Sequence, residues 1–183
     1  AVSAVLMHLL AEQGEVNLLN PVSYYIPAFA AKGKGGITLH QLLTHRGGIA
    51  DVPNDIELEM LYDHDAALQL ICEAQPTDHQ GRVQAYHAIT TGFIFNELIK
   101  VTTGLDAQQY LDRYIRKPMG MRYFRYGLNK RDQARVAINT CTGLDNVLIN
   151  RGQNTWTRES GLLSVWMLSM LTPSPGVTIF IPY

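Results

Sequence analysis

The chain has 183 residues, 46% of them hydrophobic and 17% charged, with a net charge of −1; this composition suits a globular domain with a real core and excludes a disordered chain. A balance so close to neutral provides no electrostatic pull toward nucleic acid or an anionic membrane. Cys72 and Cys141 show neither C-x-x-C spacing nor the density of a disulfide framework, so both are expected as buried or free thiols.

From the start, Val2, Val5, Leu6, Leu9 and Leu10 recur at helical spacing and predict an amphipathic helix with those residues on its buried face. No cap precedes it, which predicts an upstream turn before Ala1; Gly14 is its expected end. Asn20-Pro21 reads as a cap followed by proline at the first helical position, with Val22, Tyr25, Ile26 and Phe29 facing inward. The run Lys32-Gly-Lys-Gly-Gly36 reads as a solvated loop whose lysines face water, since the spacing of a phosphate-binding loop is absent.

Thr38 and Gln41 form a capping-box pattern ahead of Leu39, Leu42 and Leu43, and the glycines of Thr44-His45-Arg46-Gly47-Gly48 predict a sharp turn. Residues 51–59 read as an acidic surface loop. Asp63 is a candidate cap for a helix over residues 66–74, closed by Pro76. Residues 90–103 predict a helix with Ile94, Leu98 and Val101 on one face, Phe95 and Ile99 beside them, and Gly104 as its stop. Asp106 and Gln109 form a second capping-box pattern before a helix that packs Tyr110, Leu111, Tyr114 and Ile115 and ends at Pro118. A short strand is expected at Val136-Ala137-Ile138.

Residues 160–183 carry no charge, and the apolar run at 162–171 is far shorter than the roughly 20 residues that cross a bilayer, so no transmembrane segment is predicted. The expected division is a partial domain over residues 1–150 and a tail of undecided fold membership over residues 151–183.

Three stretches invite a chemical reading. Tyr86, at the end of Gly81-x-x-x-x-Tyr86, is a candidate proton shuttle, although packing is the ordinary fate of a tyrosine in a domain. His87 titrates in a useful range as a residue type but follows Tyr86 directly, and adjacent side chains point apart. A surface position, or one just behind Tyr86, is expected for it. His40 and His45 stand five apart, whereas zinc ligands on one helical face prefer three or four, so no metal site is predicted; His45 is expected to bond backbone near the glycine turn. His8, His64 and His79 show no partner pattern. The arginines and tyrosines of residues 113–135 are interrupted by Asp112 and Asp132 and read as a solvated face, not as a nucleic-acid surface.

Taken in order, these pieces resemble the serine β-lactamase and penicillin-binding-protein superfamily, in its class C-like branch that includes esterases. The resemblance rests on the helix running into Leu9-Leu-Ala-Glu-Gln-Gly-Glu-Val16, on Asn20-Pro21-Val22-Ser23-Tyr24-Tyr25, and on Ile37-Thr-Leu-His-Gln-Leu-Leu-Thr-His45. Gly81-x-x-x-x-Tyr86, Val101-Thr-Thr-Gly104 and Pro118-Met-Gly-Met121 complete it, over roughly residues 1–143. It implies an α+β, β-lactamase/transpeptidase-like fold, of which this chain carries mainly the helical region. It also implies a serine nucleophile in Ser-x-x-Lys, an acyl-enzyme, an oxyanion hole, a small ester or amide as substrate, and no metal or organic cofactor.

Carried over residue by residue, Tyr86 holds the position of the family's catalytic tyrosine, and Ala88 stands where many members have asparagine. That departure favours ester over β-lactam hydrolysis. Gln80 replaces a common proline. No serine lies three residues before a lysine, those positions being Phe29, Ala31, Glu97, Tyr114 and Gly127. By the resemblance, Ala1 stands just after the motif's lysine. No Lys-Thr-Gly or Lys-Ser-Gly follows either. A phenol ordinarily titrates near ~10 and needs an adjacent ammonium to act as a base near neutrality, so the chain as given is expected to be catalytically incompetent alone. The alternative is a noncatalytic binding or regulatory module, or a truncated gene product, of the same fold.

Overall fold

A computed structural model describes residues 1–50, 58–78, 81–87, 89–127 and 132, and the elements below lie in one compact unit, Ala1–Tyr126. The expected loop at residues 51–59 lies largely, and the expected strand at 136–138 and the division at residue 150 lie entirely, outside the described residues. Helices α1 (Val2–Glu12), α2 (Val22–Tyr25), α3 (Leu39–Leu43), α4 (His64–Glu73), α5 (Thr90–Thr103) and α6 (Ala107–Leu111) are supplemented by tighter helical turns at Pro27–Gly36 and Leu58–Tyr62. A π-helical turn at Asp112–Arg116 continues α6. Among the described residues β pairing is confined to one antiparallel bridge between Pro21 and Thr38, and no helix is long and apolar enough to cross a membrane.

α5 is the axis of the unit. Ile94, Leu98 and Ile99 are fully shielded from water, and α1, α2, α4 and α6 all pack against this helix. Each such aliphatic side chain removed from water stabilises the fold by about 1.5–3 kcal/mol. Gly104 ends the helix in the left-handed conformation, φ 72°, its N–H donating to the Lys100 carbonyl at 2.9 Å.

The caps expected from sequence form. Thr38 Oγ1 accepts from Gln41 N–H at 3.1 Å and Gln41 Oε1 accepts from Thr38 N–H at 2.8 Å; Asp106 and Gln109 make the same reciprocal pair at 2.7 and 3.0 Å. Asp63 accepts from the N–H groups of Asp65 and Ala66. Tyr110 is buried and its hydroxyl donates to Gln13 Oε1 at 2.8 Å, tying α6 to the end of α1; burial pushes its phenol up to about 12.

Five expectations are corrected. The N-cap of α2 is Pro21 itself, in extended backbone, because the chain there is engaged laterally: Val22 N–H donates to Ile37 O and Leu39 N–H to Asn20 O. The buried face of α1 is rotated toward Leu6, Met7 and Leu10, leaving Val5 53% exposed. Val101, at the edge of the α5 stripe in its last turn, is also half exposed, and Tyr114, in the widened π turn, is partly exposed. Lys34, expected in water, is fully buried.

Candidate functional site

Two stretches form the candidate site: residues 44–49, leaving α3, and the described residues 76–78 and 81–87 between α4 and α5. Local sequence dictates the first. His45 and Gly48 both adopt positive φ, 58° and 69°, and the turn closes with His45 N–H donating to Leu42 O and Arg46 N–H to Gln41 O. Histidine tolerates the left-handed region better than bulkier residues do, but Gly48 has a second reason to be glycine. A Cβ there would sit 2.2 Å from the Asp78 carbonyl oxygen, a backbone atom of the other loop.

The second loop is laced to the first. Thr77 N–H donates to Gly48 O at 2.8 Å, and Ala85 N–H donates to His45 O at 3.0 Å. Arg46 Nη1 donates to the carbonyls of Gly81 and Arg82. Asp78 Oδ2 accepts from the N–H groups of Arg82 and Val83, curling the chain toward Tyr86.

Behind Tyr86 stand two imidazoles acting as backbone connectors. His87 is buried; its Nε2 accepts from Ile49 N–H at 3.1 Å, so the proton sits on Nδ1, which donates to Ala85 O. His45 Nδ1 accepts from His87 N–H at 3.2 Å, which requires the neutral, Nε2-protonated ring. The rings lie 5.9 Å apart, stacked, and the edge of His45 meets Tyr86 at 4.8 Å between centroids. Burial lowers the pKa of His45 from its ordinary value. Thr90 Oγ1 donates to Ile49 O and Thr91 Oγ1 to His87 O, fixing the loop to α5.

Of the two sequence-predicted site residues, Tyr86 is 56% exposed, and its hydroxyl makes no hydrogen bond among the described residues. The phenol stands free in front of an imidazole pair. His87 takes the inner of its two expected positions: it does not reach the surface, and its ring binds backbone. Ala88 lies outside the described residues. His45 carries more than a single backbone bond, since it holds His87 N–H, anchors Ala85 and packs on Tyr86 at once. The positive-φ turn of a His-x-Gly-Gly sequence was its only local signal. His64, which showed no pattern, meets Glu97 at 3.2 Å across α4 and α5. Among the described residues no group of three or more His, Cys, Asp or Glu side chains is arranged to hold a metal.

The family model described as Beta-lactamase matches residues 1–178. The chain belongs to the beta-lactamase family. Esterase/beta-lactamase LipL of Mycobacterium tuberculosis is 29% identical over 117 residues, covering 64% of this chain and 27% of LipL. Among solved structures, a family VIII carboxylesterase superposes with a TM-score of 0.70 at 30% identity, over 76% of this chain and 38% of its own. A penicillin-binding-protein homolog from Caulobacter crescentus superposes with a TM-score of 0.72 at 23% identity, over 85% of this chain and 44% of its own, a likeness of fold. This family member thus spans about a quarter of LipL and less than half of these solved relatives. The fold is the α+β, β-lactamase/transpeptidase-like one implied by the sequence, and the described residues supply its helical part.

Proposed function

We propose a serine hydrolase of the esterase type, acting on small esters or amides through an acyl-enzyme, with Tyr86 moving the proton. The observation that carries this reading is the placement of Tyr86: an exposed phenol on a loop made rigid by His45 and His87. A proton shuttle needs both access and a fixed direction. In the proposed reaction the Tyr86 oxygen, as a phenolate held by the ammonium of the motif's lysine, takes the proton of the serine hydroxyl as the serine oxygen bonds to the acyl carbon, then returns that proton to the alcohol or amine as its bond to the acyl carbon breaks. Water repeats the exchange to release the acid. The names of LipL and of the carboxylesterase support esters as the substrate class.

These 183 residues contain no Ser-x-x-Lys, so the chain alone is incompetent. Incubated with a fluorophosphonate and weighed intact, it should carry no adduct; a stoichiometric adduct overturns the incompetence. A chimera in which residues 1–127 replace the matching segment of the family VIII carboxylesterase tests the tyrosine. Tyr86→Phe in that chimera should lower kcat by about 10²–10⁴-fold with KM nearly unchanged. An unchanged kcat removes the role. The absence of Ser-x-x-Lys from these residues leaves a second reading, a noncatalytic binding module of this fold; a folded but inactive chimera would support it.

A further inference from the structure

The buried Lys34 is a group that the proposed reaction does not use. Its ammonium donates to three backbone carbonyls, Ala31 O at 2.8 Å, Cys72 O at 2.7 Å and Ala74 O at 2.6 Å, with the Phe29 ring face 5.6 Å away. Three acceptors match the three N–H donors of an ammonium, where a neutral amine offers two. The cage comes from two sources. Left-handed Lys32 and Gly33, φ 57° and 80°, fold the chain back so that the Ala31 carbonyl faces Nζ. At the end of α4, the carbonyl of Cys72 would ordinarily receive the N–H four residues on, but that residue is Pro76, which has none. Ala74, the C-cap, has left helical backbone, ψ 139°, and its carbonyl is also turned outward.

We infer that the three carbonyls form a primary-ammonium site which the chain fills with its own Lys34, and that this internal cation positions the exit of α4. The strand of chain so held reaches Thr77 three residues after Ala74, and Thr77 N–H carries the Gly48 turn. Lys34 is therefore a positioning residue for the wall behind Tyr86, acting through Ala74, Thr77 and Gly48. Burial lowers its pKa from the ordinary lysine value, the cost the cage offsets by satisfying every N–H.

Lys34→Ala retains Cβ and deletes the equivalent of n-propylammonium, so that ion is the probe. In the 183-residue chain, Lys34→Ala should speed amide exchange at Thr77 and Ala85 roughly tenfold or more, the size expected when buried carbonyls lose their donor. Exchange at Tyr110 N–H, in α6, should barely move. Adding n-propylammonium should restore protection, and the bulkier tetramethylammonium, which has no N–H, should not. Lys34→Met fills the same space without a donor and should be loosened but insensitive to the amine. Wild-type protection in Lys34→Met overturns the inference, and so does a folded Lys34→Ala that n-propylammonium leaves unchanged. If Lys34→Ala folds only when n-propylammonium is present, the site stands; if it folds neither with nor without the ion, the site falls. None of these readouts involves hydrolysis, so the inference can fail while the catalytic reading of Tyr86 survives, and the reverse.

Discussion

The α5–α6 region and the wall behind Tyr86 are both well ordered by hydrogen bonds, yet they are built on opposite plans. In α5 and α6 the determining bonds are local: Asp106 with Gln109, Gly104 with Lys100. The wall depends on bonds between residues about 30 to 40 apart in sequence, such as Thr77 to Gly48 and His87 to His45. Damage to a local cap stays in one turn of helix. Damage to the wall separates two loops, and every residue hung on them, Tyr86 included, loses its place.

Gly48→Ala should show this most strongly. Its Cβ has no room beside the Asp78 backbone and its φ is positive, so a loss of about 3 kcal/mol or more in chemical denaturation is expected. A loss below 1 kcal/mol, on the order of a simple backbone penalty, would mean the two loops part easily. Asp106→Ala should cost about 1 kcal/mol by the same measurement, with the wall's amide protection untouched; a change at Thr77 or Ala85 would show that the regions are coupled.

The smallest effect is a pH dependence of the wall. His45 has a lowered pKa in the fold and accepts through Nδ1, so the unfolded chain takes up a proton more readily than the folded one. Stability from this group is complete above the ordinary value near ~6.5 and declines as pH falls below it toward the lowered folded value. Thermal midpoints should therefore drop between pH 7 and pH 5 by less in His45→Asn than in the unaltered chain. Equal drops would remove His45 as the source. Asparagine suits the substitution because it tolerates left-handed backbone.

What the sequence made legible follows the same split. Thr38 with Gln41, Asp106 with Gln109, and Gly104 after residues 90–103 were readable because the partners lie within one helical turn. Tyr86 was readable as a site candidate through the order of motifs around it, with no help from local periodicity. The inward turn of His87 was not settled, since only the distant N–H of Ile49 decides it. The glycine-rich surroundings of Lys34 ordinarily mean a wet loop; beside the local Ala31 carbonyl, the acceptors that hold it come from distant Cys72 and Ala74, and the missing N–H of Pro76 is the one sequence mark they leave. Val5 and Val101 show the limit of helical stripes, which fix a face to within a residue but not how far its edge is covered.

Cys72 gives these differences a practical handle. The residue is buried on α4, in the turn whose carbonyl Lys34 holds, and burial pushes its thiol pKa up from the ordinary value. An alkylating agent at neutral pH therefore reaches the sulfur only when that turn opens. The labelling rate of the Cys72 peptide becomes a clock for opening at the end of α4, running in the native chain without a mutation or an attached dye.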